Sequence, residues 1–404
     1  MRPRRVFSAL ACLSVLLGAA GPGAARVKLG IDVLRESGFA QLQGKTVGLI
    51  TNHTGRDARG RSTIDLLARA PGVKLAALFS PEHGPRGDRS HGEAVAGGVD
   101  PKTGIKIYSL YGKTKRPEPG MLENLDALVF DIQDAGTRFY TYITTLAMAL
   151  EEAAKAGIEM IVLDRPNPIT GSIVEGETLD PRFRHFTAYL EVPVRHGMTV
   201  GELARWYNET AGLGADLTVV KMEGWRRDMW WDETGIPFRA TSPNIRDLRA
   251  ALLYPGVGAF EATNVSVGRG TRHPFEFLGA PWIDGEDLAE RLDFAGLPGM
   301  KIRPAKFKPS SDLYAGEVCR GVRIAVTDRD RARPVELFLQ AFFILAEKYP
   351  DRFVPRWKEI PYVTGSDLLE RSMAQGQTAE GVIFLTDEKA AAFTEARKSA
   401  LIYE

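Results

Sequence analysis

The residues best suited to chemistry in this chain are carboxylates and histidines placed just after short apolar runs. Glu82 stands in Ser-Pro-Glu-His-Gly, residues 80–84. Pro81 stops the preceding run and Gly84 permits a sharp turn, so Glu82 and His83 should project from a strand end. A carboxyl group in such a place is suited to general acid or base work, with His83 orienting it or binding substrate. Glu175 and Glu177, in Val-Glu-Gly-Glu, are both candidates for a second carboxyl, and their spacing does not choose between them.

Other polar clusters follow the same rule. Asn52 and His53 follow 47–51, Asp131, Gln133 and Asp134 follow 127–130, and Asp164, Arg165 and Asn167 follow 160–163. Arg165 could pair with Asp131 or Asp164 and hold a site in shape. Arg195 and His196 follow 192–194, and Arg195 could hold a substrate carboxylate. Further on, Asn244 lies in Ser-Pro-Asn, and Glu261, Asn264, Arg269 and Arg272 surround a glycine-rich Gly-Arg-Gly-Thr-Arg. Two arginines on a tight loop suit an anionic group, but the loop lacks the lysine of a phosphate-binding motif.

These clusters need a scaffold that brings strand ends together. Apolar stretches at 47–51, 75–79, 105–110, 127–132 and 160–163 alternate with helical patterns, of which 142–156 is the strongest. Continuous apolar strands interleaved with helices indicate an α/β fold with a parallel sheet covered on both faces. Ligands bind beyond the carboxyl ends of such strands, where the polar clusters lie. Thr199 should cap a helix carrying Glu202 and Leu203, and 217–220 reads as the next strand. From 223 to 285 Trp, Pro, Gly and Asn become dense and regular patterning fades. Long irregular segments in compact domains are usually functional. A strand at 321–326 and a helix at 334–348 then restore mixed α/β patterning. The expected division is a parallel-sheet α/β domain over 26–240 and a mixed α/β domain over 241–404.

Composition narrows the function classes. The 404 residues are 44% apolar and 25% charged, which fits a globular protein with a sizeable core. Arg2, Arg4 and Arg5, an apolar run over 6–20 and small residues over 21–25 form a secretory signal pattern, with a cleavage point after Ala25. The protein is therefore expected in a periplasm or outside the cell. Removing that segment takes away three arginines and no acid, leaving 49 basic against 51 acidic side chains and a net charge of −2. Such a balance gives no electrostatic case for nucleic acid, and no stable membrane insertion is expected after cleavage. The remaining cysteine, Cys319, is expected to pack in the core. No dinucleotide fingerprint, serine elbow or zinc motif is present. No metal or cofactor is expected, although a metal-assisted hydrolase using Asp131, Asp134 and Glu82 stands as a rival, as does a non-catalytic binding protein using the same site.

Several motifs together carry a family resemblance. Leu-Phe-Ser-Pro-Glu-His-Gly (78–84), Asp-Ile-Gln-Asp (131–134) with Arg138-Phe-Tyr-Thr-Tyr, Leu-Asp-Arg-Pro-Asn-Pro (163–168), Pro-Val-Arg-His-Gly-Met-Thr (193–199), Tyr-Pro-Gly (254–256) and Glu-Ala-Thr-Asn-Val-Ser-Val-Gly-Arg-Gly-Thr (261–271) resemble the DUF1343 family. That family is similar to the exo-β-N-acetylmuramidase NamZ. The resemblance implies release of N-acetylmuramic acid from the non-reducing ends of peptidoglycan fragments, a Rossmann-like lobe, and a cleft between two lobes. It makes Glu82 the proposed acid or base, with Glu175 the first choice for the second carboxyl and Glu261 the second. Arg195, Arg269 or Arg272 would take the lactyl carboxylate of the sugar, and Asn52, His83, Asp131, Arg138, Asp164, Arg165, Asn167, His196, Asn244 and Asn264 would complete the binding site.

Overall fold

The computed structural model describes residues 26–82, 84–87 and 97–404. The expected signal segment and His83 lie outside the described residues. Seven strands form the larger sheet: β1 (Thr46–Thr51), β2 (Lys74–Ser80), β3 (Gly98–Val99), β4 (Lys106–Ser109), β5 (Ala127–Asp131), β6 (Glu159–Leu163) and β7 (Leu217–Val220), in the order β3-β4-β2-β1-β5-β6-β7. All neighbours are parallel except β3, an exposed two-residue edge strand that runs antiparallel to β4. A short edge strand of this kind limits pairing with other chains.

The pleat sorts the central strands onto two cores. Leu128 and Phe130 of β5, with Met160 and Val162 of β6, enter one apolar cluster, where they meet Ile143, Leu146 and Leu150. Their neighbours Ala127, Val129, Ile161 and Leu163 enter the cluster on the opposite face, with Ile31 and Leu34. Successive side chains of a strand point to opposite faces, so strands buried on both faces must be apolar throughout.

Helix boundaries follow local chemistry. The helix Tyr142–Ala156 ends at Gly157, whose φ of 67° suits the left-handed C-cap position. The helix Val200–Thr210 starts with a reciprocal cap, in which the Thr199 side chain accepts from the Glu202 N–H and the Glu202 carboxylate accepts from the Thr199 N–H.

The smaller sheet is antiparallel. Strands β8 (Phe277–Ala280), β9 (Met300–Phe307) and β10 (Cys319–Val326) pair in the order β8-β10-β9. The apolar patterning marks β10, but β9 reads Met-Lys-Ile-Arg-Pro-Ala-Lys-Phe and buries only Ile302 and Phe307. It is an edge strand, where a proline and charged side chains are tolerated. Cys319 is fully buried, and burial pushes its thiol up to about 11.

A third apolar cluster joins this region to the larger sheet. It combines Phe260, Phe338 and Phe342 with Phe139, Val194 and Trp230. The chain then returns to the first half of the molecule. The Tyr403 hydroxyl donates to Asp164 Oδ2 at 2.6 Å, and the Ile402 N–H donates to Glu202 Oε1 at 3.0 Å.

Candidate active site

Ser80 and Ser109 are register partners on adjacent parallel strands, β2 and β4. Glu82 and Tyr111 each lie two residues beyond them, so the two side chains leave the sheet level with one another. The Tyr111 hydroxyl hydrogen-bonds to Glu82, and burial together with that carboxylate pushes its phenol up to about 12. The phenol therefore keeps its proton at neutral pH and can donate to the carboxylate. Glu82 itself is buried, with 9% of its surface exposed.

Both residues line a cavity of about 800 Å³ between the carboxyl ends of β2 and β4 and the second half of the chain. Aromatic rings make up much of its wall. Tyr140 meets Tyr142 edge-on at 4.9 Å, and Tyr254 lies 5.1 Å from Phe139 and 4.8 Å from Phe275, ring centre to ring centre. Burial raises the phenols of Tyr140, Tyr142 and Tyr254, and Glu82 adds to this for the last two. Glu261, in the 3-10 turn Gly258–Ala262, also lines the cavity and accepts from Arg269 Nε. A glycosidic bond lying in this cavity would face two carboxyl groups, one supported by a phenol and one by a guanidinium.

Among the described residues the cavity brings together three of those expected from the sequence: Glu82, Glu261 and Arg269. The first choice for second carboxyl, Glu175, lines a separate cavity of about 360 Å³ with Arg333, Glu336 and Asp387. There it holds Arg195 at 2.7 Å, and burial raises its pKa despite that partner. Arg195 is consequently taken by Glu175 and by the Ile169 carbonyl, and it does not reach the Glu82 cavity. Arg272 is exposed and lies off the cavity wall.

Most other expected ligands turn out to be fasteners. Asp131 accepts from Arg165 Nε at 2.6 Å and from the Thr63 hydroxyl. Asp164 accepts from the Arg165 and Gly201 N–H groups and from the Thr199 and Tyr403 hydroxyls, yet burial outweighs these donors and raises its pKa to about 6. Asn167 donates to the Met198 carbonyl and accepts from the Ile169 N–H. His196 Nδ1 accepts from the Met198 N–H at 3.1 Å, which leaves the proton on Nε2, facing Asp134 at 3.3 Å. Arg138 donates to the carbonyls of Glu177, Val192 and Val363, and burial lowers its pKa to about 9.

Asn264 clamps 352–354 through the Arg352 carbonyl and the Val354 N–H. Asn244 sits half-buried in a turn held by Ser242 Oγ. Asn52 accepts from both the N–H and hydroxyl of Thr54, and its amide also contacts the Tyr142 phenol. Among the described residues no three His, Cys, Asp or Glu side chains gather as a metal site.

Strand-end reasoning passes over the aromatic wall. Tyr111, Tyr140, Tyr142 and Tyr254 carry no charge, so a search for acids, bases and cations does not select them. The dense Phe-Tyr-Thr-Tyr run after β5 is the signal that could have found two of them.

Known proteins share this architecture and sequence. Residues 47–249 match the family model described as the N-terminal part of the exo-β-N-acetylmuramidase NamZ, and residues 252–403 match the C-terminal part. The peptidoglycan β-N-acetylmuramidase NamZ of Bacillus subtilis (strain 168) is 44% identical over 379 residues, covering 94% of this chain and 92% of that protein. Two crystal structures of DUF1343 family proteins from Bacteroides fragilis NCTC 9343 superpose on it. One has a TM-score of 0.88 at 38% identity, and the other 0.76 at 28%. Each match covers 94% of this chain and 99% of the other. With residues 47–249 and 252–403 matched by the two family models and a relative 44% identical over 94% of the chain, this chain belongs to the exo-β-N-acetylmuramidase NamZ family.

Proposed function

We propose that this protein is an exo-acting glycoside hydrolase that releases N-acetylmuramic acid from the non-reducing ends of peptidoglycan fragments. The observation that carries the reading is the pair of carboxyl groups, Glu82 and Glu261, on the wall of one aromatic-lined cavity. Glycoside hydrolysis needs two such groups and no cofactor. The family membership and the B. subtilis relative support the substrate class.

Glu82 is the general acid. It gives its proton to the bridging oxygen as the bond to the anomeric carbon breaks, and a water molecule supplies the oxygen that the sugar gains. Tyr111 holds the carboxylate that remains. Glu261, fixed by Arg269, is the second carboxyl and faces the positive charge that builds on the sugar ring. The tyrosines and Phe275 give apolar surfaces for the sugar faces. The secretory pattern over 1–25 supports action in a periplasm or outside the cell, where peptidoglycan lies.

The test is product release from a chromogenic β-N-acetylmuramide beside the matching N-acetylglucosaminide. Cleavage of the muramide by the folded wild type is expected. Cleavage of neither sugar would overturn the reading.

A further inference from the structure

We propose that Lys115 reads the lactyl carboxylate of the muramyl sugar and so sets the preference for muramyl over glucosaminyl groups; this rests on the function proposed above. The segment that follows β4 carries both Tyr111 and Lys115 to the cavity wall. Three cationic or titratable basic side chains line that cavity among the described residues: Lys115, His185 and Arg269.

Two of the three are poorly placed to hold an anion. Arg269 is already neutralised by Glu261. His185 is stacked on Tyr362, with ring centres 4.4 Å apart, and its Nδ1 lies 2.9 Å from the Thr187 hydroxyl. Burial and the nearby Lys115 charge both lower its pKa and so disfavour the charged imidazolium.

Lys115 differs. Its ammonium rests over the Phe186 ring, 4.2 Å from the centre, and it forms no ion pair with a described carboxylate. The acids on the same wall are committed elsewhere: Glu82 to Tyr111, Glu261 to Arg269, and Glu359 to Arg356 at 2.7 Å. An uncompensated cation, positioned by an aromatic face and bordering a substrate cavity, is a site for an anionic substituent. N-acetylmuramic acid carries one, the lactyl carboxylate, and N-acetylglucosamine carries none. Lysine offers a point charge with three donors on a flexible stem, which suits a substituent that rotates about an ether bond.

The experiment compares inhibition of muramide hydrolysis by N-acetylmuramic acid and by its lactyl amide, in the wild type, Lys115→Met and Lys115→Arg. Lys115 is exposed, so both variants are expected to fold, and their melting temperatures check this. The wild type should bind the acid roughly ten- to a hundredfold more tightly than the amide, the range of a hydrogen bond to a charged group. Lys115→Met should bind both compounds equally and raise KM for the muramide more than it lowers kcat. Lys115→Arg should restore much of the difference.

Retention of the acid preference by Lys115→Met overturns the assignment, and so does a wild type that cleaves the muramide yet treats acid and amide alike. In both cases the muramidase reading survives. A wild type that neither cleaves the muramide nor binds the acid overturns both.

Discussion

The ends of β5 and β6 and the end of β2 begin from the same sequence pattern, an apolar strand followed by polar residues, and finish differently. Beyond β5 and β6 the two acids are taken up by the fold: Asp131 is held by Arg165 and Thr63, and Asp164 by four donors. Beyond β2 and β4, Glu82 and Tyr111 open onto a cavity walled by aromatic rings. In the first region Asp131 and Asp164 are held by groups of the fold, and the second has space in which a substrate can complete the contacts. Polarity at a strand end therefore identifies a functional edge without identifying a function. What separates the two cases is how far donors from the fold surround the carboxylate, and such donors lie 34 to 239 residues away in the chain for Arg165 with Asp131 and Tyr403 with Asp164.

This contrast can be broken by experiment. The largest effect is expected for Glu82→Gln, which should lower kcat on a muramide by about a hundredfold or more, the range for a lost general acid, with little change in melting temperature. Near-normal turnover would remove Glu82 from the mechanism. At the closed end, Asp131→Ala should behave in the opposite way and cost roughly 3–5 kcal/mol of stability, because it strands the buried Arg165 guanidinium. Denaturant unfolding measures this, and an unchanged midpoint would contradict the scaffold role.

Asp164 sharpens the comparison through pH. Its folded pKa, raised to about 6, exceeds the ordinary value of 3.8, so the folded state binds the proton more tightly. Its stabilising contribution is full below about pH 4 and is lost as pH rises through 6, a change of about 3 kcal/mol. Asp164→Asn should flatten the stability profile across that window, and a profile that keeps its wild-type slope there would show that another group is responsible. The smallest effect on activity is expected for Glu175→Gln, within about threefold per folded molecule, whereas Glu261→Gln should lose roughly tenfold or more. Reversal of that order would return the second carboxyl to the Arg195 pair.

Much of the fold was legible in the chain. β1, β2, β5 and β6 are marked by apolar runs because they are buried on both faces, and the Thr199–Glu202 cap announces its helix. β9 was hidden because an edge strand can carry lysines, arginines and a proline. Glu82 was legible because its turn chemistry is local. The choice between Glu175 and Glu261 was not, because it depends on which carboxylate faces the cavity and which is folded against Arg195. Arginines drew attention as carboxylate ligands, but their strength as ion-pair formers is the reason two of them were already occupied. The overlooked aromatic wall shows the same limit, since tyrosines join the site through packing across the two halves of the chain.

The return of Tyr403 and Ile402 to Asp164 and Glu202 sets an order of events during synthesis. Tyr403 is made 239 residues after Asp164, a delay on the order of ten to fifty seconds at ordinary elongation rates. Until then the first half of the chain can collapse around its strands, but Asp164 at the end of β6 lacks the donor that Tyr403 supplies. The seam at the end of β6 therefore closes only once residues 402 and 403 are in place, although every strand of the larger sheet is made by residue 220.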